Sequence, residues 1–170
     1  MRYFDGGGGR ADLLAKLVMR HVTEIEQLVP DSDDPLAILA AGLDDEAIEL
    51  LAQDPALARL FPIALDDREE AEQFRRAAVI EQARSRLEAA QHVLADLAVA
   101  ENEEAIEIAP ESLSAWATTL AGLRASWHVR LTQSDDRLAE PSQADAEADP
   151  MTAAICGWLG YLIEDLLDEQ

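Results

Sequence analysis

Residues 54–98 read DPALARLFPIALDDREEAEQFRRAAVIEQARSRLEAAQHVLADLA, and this stretch decides the fold. It divides into a short turn ending at Phe61-Pro62 and a long helix beginning near Asp66 and Asp67. A carboxylate at a helix start satisfies a free backbone N–H, so these two aspartates read as caps. Glu69, Glu70 and Glu72 follow in the first turns, where the helix dipole favours negative charge. No Pro or Gly interrupts the chain from Ile63 to Ala98. At a rise of about 1.5 Å per residue the helix spans roughly 45 Å, long enough to be the central element of a bundle.

Apolar residues recur along it at Phe74, Ala77, Ile80, Ala83, Leu87, Ala90, Leu94 and Leu97. Steps of three and four make one buried stripe. Its many alanines predict close helix packing rather than a cavity. Arg68, Arg75, Arg76, Arg84 and Arg86 share the helix, and Glu72–Arg76 and Arg84–Glu88 are i,i+4 pairs on a solvated face. The Phe74-Arg75-Arg76 triplet stands out as a candidate docking patch.

Working outward, an N-terminal segment Arg2-Tyr3-Phe4 precedes four glycines, Gly6–Gly9, which read as a turn or linker. The phosphate-loop pattern G-x-x-x-x-G-K-[ST] is absent. A helix follows over about 10–29, with Leu13, Leu17, Met19, Val22, Ile25 and Leu28 as its stripe and Pro30 as its stop. The acidic turn of residues 31–35 lacks the calcium-loop spacing. Leu36–Ala41 reads as one helical turn ended by Gly42, and Asp44 and Asp45 open a further helix. Beyond the acidic connector at residues 101–104, Ile106-Glu107-Ile108 alternates like a strand, with Arg2–Phe4 as its candidate partner. Pro110 opens a helix whose stripe is Leu113, Trp116, Leu120, Leu123, Trp127 and Leu131. Residues 134–150 are polar and acidic and read as a mobile loop. A last helix, 151–169, turns Ile155, Leu159, Leu162 and Leu166 inward. Trp158, Tyr161, Ile163 and Leu167 widen its apolar surface, toward the bundle or toward a dimer or partner interface.

The fold class expected is therefore mainly all-α: one domain over residues 1–170, a helical bundle around one long helix, with a minor two-stranded β element.

Thirteen basic residues against 35 acidic ones give a formal net charge of −22. Such a surface repels nucleic acid and anionic membrane, and it favours a basic protein partner. The single cysteine, Cys156, excludes an intramolecular disulfide. The N-terminus lacks a signal-peptide layout, and no apolar run reaches bilayer-spanning length, so the expected compartment is the cytoplasm.

The three histidines, His21, His92 and His128, have no second His or Cys at metal-ligand spacing. No serine nucleophile elbow is present, and Cys156 sits in an apolar helix where a packed neutral thiol is usual. The expectation is a protein with no enzymatic activity, cofactor or metal.

Asp54-Pro55-Ala56-Leu57-Ala58-Arg59-Leu60, then Pro62, then Phe74-Arg75-Arg76 form a motif. The early helix ADLLAKLV, the segment IEIAPESLSAWATTLAGLRASWHVRL and Gly157-Trp158-Leu159 extend it over nearly the whole chain. These pieces resemble an actinobacterial family long carried as a domain of unknown function and in part labelled the oxidative-stress transcriptional regulator family, AosR-like. That resemblance implies a cytoplasmic, redox-linked regulator of transcription that contacts a sigma factor or RNA polymerase. The alternative it implies is an adaptor linked to Clp proteolysis. The residues it points to are Arg59, Phe74, Arg75 and Arg76 for partner binding, and Cys156 as a redox candidate acting through an intersubunit disulfide or a sulfenic acid. A homodimer is among the assemblies it leaves open.

Overall fold

The computed structural model describes residues 2–32, 34–62, 68–99, 104–134, 136 and 138–168, and for residues 68–74 and 77 the backbone alone. The order of elements is β1 (Arg2–Asp5), α1 (Arg10–Glu26), α2 (Pro35–Leu43), α3 (Glu46–Gln53), α4 (Pro55–Ala58), α5 (Arg68–Val99), β2 (Ala105–Ile108), α6 (Leu113–Thr132), α7 (Gln143–Ala148) and α8 (Pro150–Leu167). The fold is mainly α, with the expected small sheet. The expected caps at Asp66 and Asp67, the stripe residues Phe74 and Ala77, and most of the acidic connector at 101–104 lie outside the described residues or side chains.

β1 and β2 pair antiparallel, Phe4 opposite Ile106 and Arg2 opposite Ile108. Alternation sends Phe4, Ile106 and Ile108 into the core. The Phe4 ring lies 5.6 Å from that of Trp116. Gly6 N–H donates to the Glu104 carbonyl, and Gly8 and Gly9 take φ of 64° and 81°. The glycine run is thus a tight strand-to-helix turn, in a left-handed conformation that a Cβ disfavours.

Two apolar clusters build the interior. The larger joins the sheet to α1, the C-terminal half of α5, α6 and α8 through Leu14, Leu17, Val93, Trp116, Leu120 and Leu159, among others. The smaller gathers Ile25, Leu51, Leu57, Val79 and Ala83 from α1, α3, α4 and α5, with Phe61 from the turn after α4. Helices α1 and α5 run through both. At the level between the clusters each carries a polar residue, His21 on α1 and Arg86 on α5. His21 is buried, and Gly122 of α6 lies against it: a Cβ there would sit 3.2 Å from His21 Nε2 and 3.5 Å from an Arg86 terminal nitrogen. Arg86 donates to the Leu60 carbonyl at 2.8 Å and lies over the Phe61 ring.

Several expectations are corrected. On α1 the buried face is Leu14, Leu17, Val18, His21 and Ile25, while Leu13 and Met19 are exposed. The true stripe is rotated toward Leu14 and Val18, because it must meet α5 and α6 together. Helix α2 runs on through Gly42, which costs about 1 kcal/mol relative to Ala without ending a helix. Part of the acidic 134–150 stretch is the helix α7, held by a capping box in which Ser142 and Asp145 bond each other's backbone N–H. On α8, Tyr161 and Leu167 face solvent.

Candidate protein-interaction surface

Helix α2, PLAILAAGL, owes its existence to local chemistry. The Asp34 side chain accepts from Leu36 N–H, and Pro35 occupies the first turn, where its missing N–H costs nothing. Leucine and alanine then propagate the helix. Ala37, Ile38 and Ala41 are half-buried and face inward, and the helix packs on α5. No residue of α2 is fully buried.

The opposite face is unusual. Leu36, Leu39 and Leu43 are 72 %, 62 % and 75 % exposed, and Ala40 is exposed between them. The spacing i, i+3, i+4, i+7 aligns them on one side of the helix. Single exposed leucines need no explanation, but an aligned row does. Burying each leucine fully would stabilise a complex by about 1.5–3 kcal/mol. Both ends of the row are acidic. Asp31 and Asp34 lie before it, and Asp44, Asp45, Glu46 and Glu49 after it, all exposed. The latter group is placed for α3, where Asp44 accepts from Glu46 N–H and Glu46 and Glu49 lie in the first turn.

The residues singled out in the sequence fall on two surfaces. Arg76 pairs with Asp45 at 2.5 Å, just beyond the α2 C-terminus. Arg75 is half-buried, and its Nε is buried without a hydrogen bond. The Phe74 side chain lies outside those described. Arg59, at the end of α4, lines a separate groove of about 870 Å³ bounded by α6, α7, α8 and residues 138–142. Cys156 lies in the same groove wall, nearly buried. Burial pushes its thiol pKa up, and Asp149 adds to this while Arg124 opposes it. A thiol so placed is a poor nucleophile at neutral pH.

Two polar clusters bear on catalysis. His92 Nε2 lies 2.8 Å from Ser112 Oγ and 4.0 Å from Asp96 Oδ1, which superficially matches a hydrolytic triad. A triad needs its carboxylate on the other ring nitrogen, Nδ1. Here both oxygens approach Nε2, and the second Asp96 oxygen accepts from Trp116 Nε1 at 2.8 Å. The set ties α5 to the β2–α6 corner. Around His21, Glu24 accepts from Arg20 and Arg130 at 2.9 and 2.8 Å, and each of those guanidiniums lies 5.4 Å from the Trp127 ring centroid. His21 has its pKa lowered to about 4, first by burial, then by Arg86 and Arg130, with Glu24 acting in the opposite sense. Its Nδ1 has no hydrogen-bond partner. Among the described residues, no three His, Cys, Asp or Glu gather to hold a metal ion.

Sequence reasoning missed the leucine face because a short, uniformly apolar segment carries no periodic signal to say which side is covered. It missed His21 as a core residue because the rotated α1 stripe becomes visible only when Leu14 and Val18 are counted with it.

The fold and its surfaces define a mainly-α protein with an exposed leucine face on an acidic exterior. Residues 8–169 match the family described as Domain of unknown function (DUF2017), and the chain belongs to it. No curated protein and no solved structure matches the chain. Among the described residues, no helix is long and apolar enough to cross a membrane.

Proposed function

We propose that this protein is a non-enzymatic cytoplasmic regulator that works by protein–protein contact, with α2 as its docking face. The observation that carries this reading is the Leu36-Leu39-Leu43 row bounded by carboxylates at both ends. A row of this shape suits the apolar side of a helix, read as i, i+3 and i+7 anchors. The carboxylates at its ends suit a partner helix with basic flanks. A second copy of this chain would bring the same carboxylates and the same net charge of −22 against them, which favours a different protein as partner.

The resemblance to the oxidative-stress transcriptional regulators of actinobacteria supplies the finer reading. The partner would be a sigma factor or RNA polymerase, and the genes controlled would serve thiol protection. Arg76, paired with Asp45 two residues beyond Leu43, would contribute to the rim of that interface.

The test is binding of purified sigma factor and core polymerase to the protein and to its Leu36→Ser/Leu39→Ser/Leu43→Ser variant. Binding to either one, lost in the variant with the helical CD signal unchanged, supports the reading. Equal binding by both forms removes α2 as the surface. Capture of Clp protease subunits alone from native cytoplasm would replace the transcriptional reading with the adaptor one.

A further inference from the structure

We propose that the groove between α6, α7 and α8 is a binding site for a small amphipathic organic anion, one with a carboxylate, sulfonate or phosphate head and an apolar body. The inference is independent of α2 docking.

The first observation is a local inversion of charge. Acidic residues outnumber basic ones 35 to 13 in this chain. On the same count the order reverses along the described lining of the groove: Arg59 and Arg124 stand against one carboxylate, Glu140, with the imidazole of His128 beside them. Arg124 and His128 are one turn apart on α6 and present their side chains from the same wall. Second, Arg124 makes no hydrogen bond or ion pair with a described residue, although carboxylates dominate the surface. Its guanidinium lies against Gly160 of α8, where a Cβ would come within 3.4 Å of Arg124 Nε. The absence of a side chain at 160 makes room for that cation. Third, the groove, at about 870 Å³, has the capacity of a small-molecule site. Its remaining walls are largely apolar, and they include Leu138, 86 % exposed, and Ile163. A head group set between Arg124 and His128 would gain charge-assisted hydrogen bonds, and its apolar body would cover Leu138.

Position 157 gives a clean way to close the site. Gly157 lines the groove, and a Cβ built there meets nothing within 4 Å. Gly157→Leu therefore adds a side chain to the groove wall from a position where its Cβ has room, and it replaces a helix-weakening residue by a good helix former.

The experiment uses the whole protein and two dyes with closely related aromatic bodies: anionic 1-anilinonaphthalene-8-sulfonate and neutral N-phenyl-1-naphthylamine. Affinities come from fluorescence titration of the wild type, Arg124→Gln and Gly157→Leu, with CD as the check on folding. The expected result is saturable binding of the anionic dye, weakened about tenfold or more by Arg124→Gln, the loss expected when a charged hydrogen bond is removed. Gly157→Leu should abolish binding, and Arg124→Gln should leave the neutral dye unaffected. Cys156 is the only thiol of the chain and stands in the groove wall, so bound anionic dye should also slow its alkylation by iodoacetamide. Absence of saturable binding would overturn the proposal. So would an anionic-dye affinity unchanged in both variants, since the dye would then lie elsewhere, as on the α2 leucines.

Discussion

The His21 imidazole and Gly122 are in direct apposition: a Cβ at position 122 would lie 3.2 Å from Nε2 and 3.3 Å from Cε1 of the ring. Helices α1 and α6 approach this closely because residue 122 has no side chain. Gly122→Val should therefore cost about 2 kcal/mol, the usual penalty for overpacking a well-filled interior. The cost should fall by about 1 kcal/mol or more in a His21→Ala background, because the two sites are in contact. Thermal melts of the double-mutant cycle measure both numbers.

The same imidazole makes stability depend on pH. The unfolded chain protonates it near the ordinary value of 6.5, the folded chain only near 4. Between those values the unfolded state binds more protons, so stability is complete above pH 6.5 and falls as pH drops toward 4. The loss from this group is about 3 kcal/mol once both forms are protonated. Urea titrations from pH 7.5 to 4 on the wild type and His21→Gln check this. The variant should show a shallower slope across that window.

Glu24 holds two cations, Arg20 and Arg130, each within cation–π distance of the Trp127 ring. Arg20 is largely exposed, and Arg130 and Glu24 are mostly covered, so the second pair contributes more. Glu24→Gln should cost about 2 kcal/mol by leaving Arg130 partly buried without its charge partner. Arg20→Gln should cost about 0.5 kcal/mol. Chemical denaturation of the two variants separates these outcomes.

Cys156 is the test of a thiol switch. Burial raises its pKa, so at pH 7.5 it should react with iodoacetamide at least about tenfold more slowly in the folded protein than in urea. Peroxide should likewise leave it a free thiol under native conditions, as read by intact-mass spectrometry. Rapid native oxidation to a sulfenic acid or an intersubunit disulfide would restore the redox role.

The leucines of α2 should be dispensable for folding. Leu36→Ser/Leu39→Ser/Leu43→Ser removes side chains that are mainly in water, so each change should cost about 0.5 kcal/mol or less, set chiefly by helix propensity. A collapse in stability would show that this face is covered within the protein.

Much of the architecture was legible before any coordinates. Residues 68–99 form the long helix because nothing in that run breaks it, and Trp116, Leu120 and Leu123 mark the inward side of α6 at helical spacing. The alternation of Ile106 and Ile108 marks a strand in the sequence, but its antiparallel pairing with Arg2–Asp5 is a long-range contact that the alternation does not specify. The α7 helix was less so. Its signal is one capping box, Ser142 with Asp145, inside an acidic and proline-flanked segment that otherwise reads as loop.

What the sequence by itself determined are the properties written in local order: the unbroken long helix, the helical spacing on α6, strand alternation at Ile106 and Ile108 and the net charge of −22. These follow from backbone hydrogen bonding and side-chain periodicity over a few residues, and need no knowledge of neighbours. Only the tertiary structure decided which leucines meet water, that His21 lies against Gly122, and that Arg59, Arg124, His128 and Cys156 share one groove. Those facts depend on how helices distant in sequence rotate and cross. Each rotation is chosen by the burial of all faces at once, a sum over long-range contacts that no local pattern records.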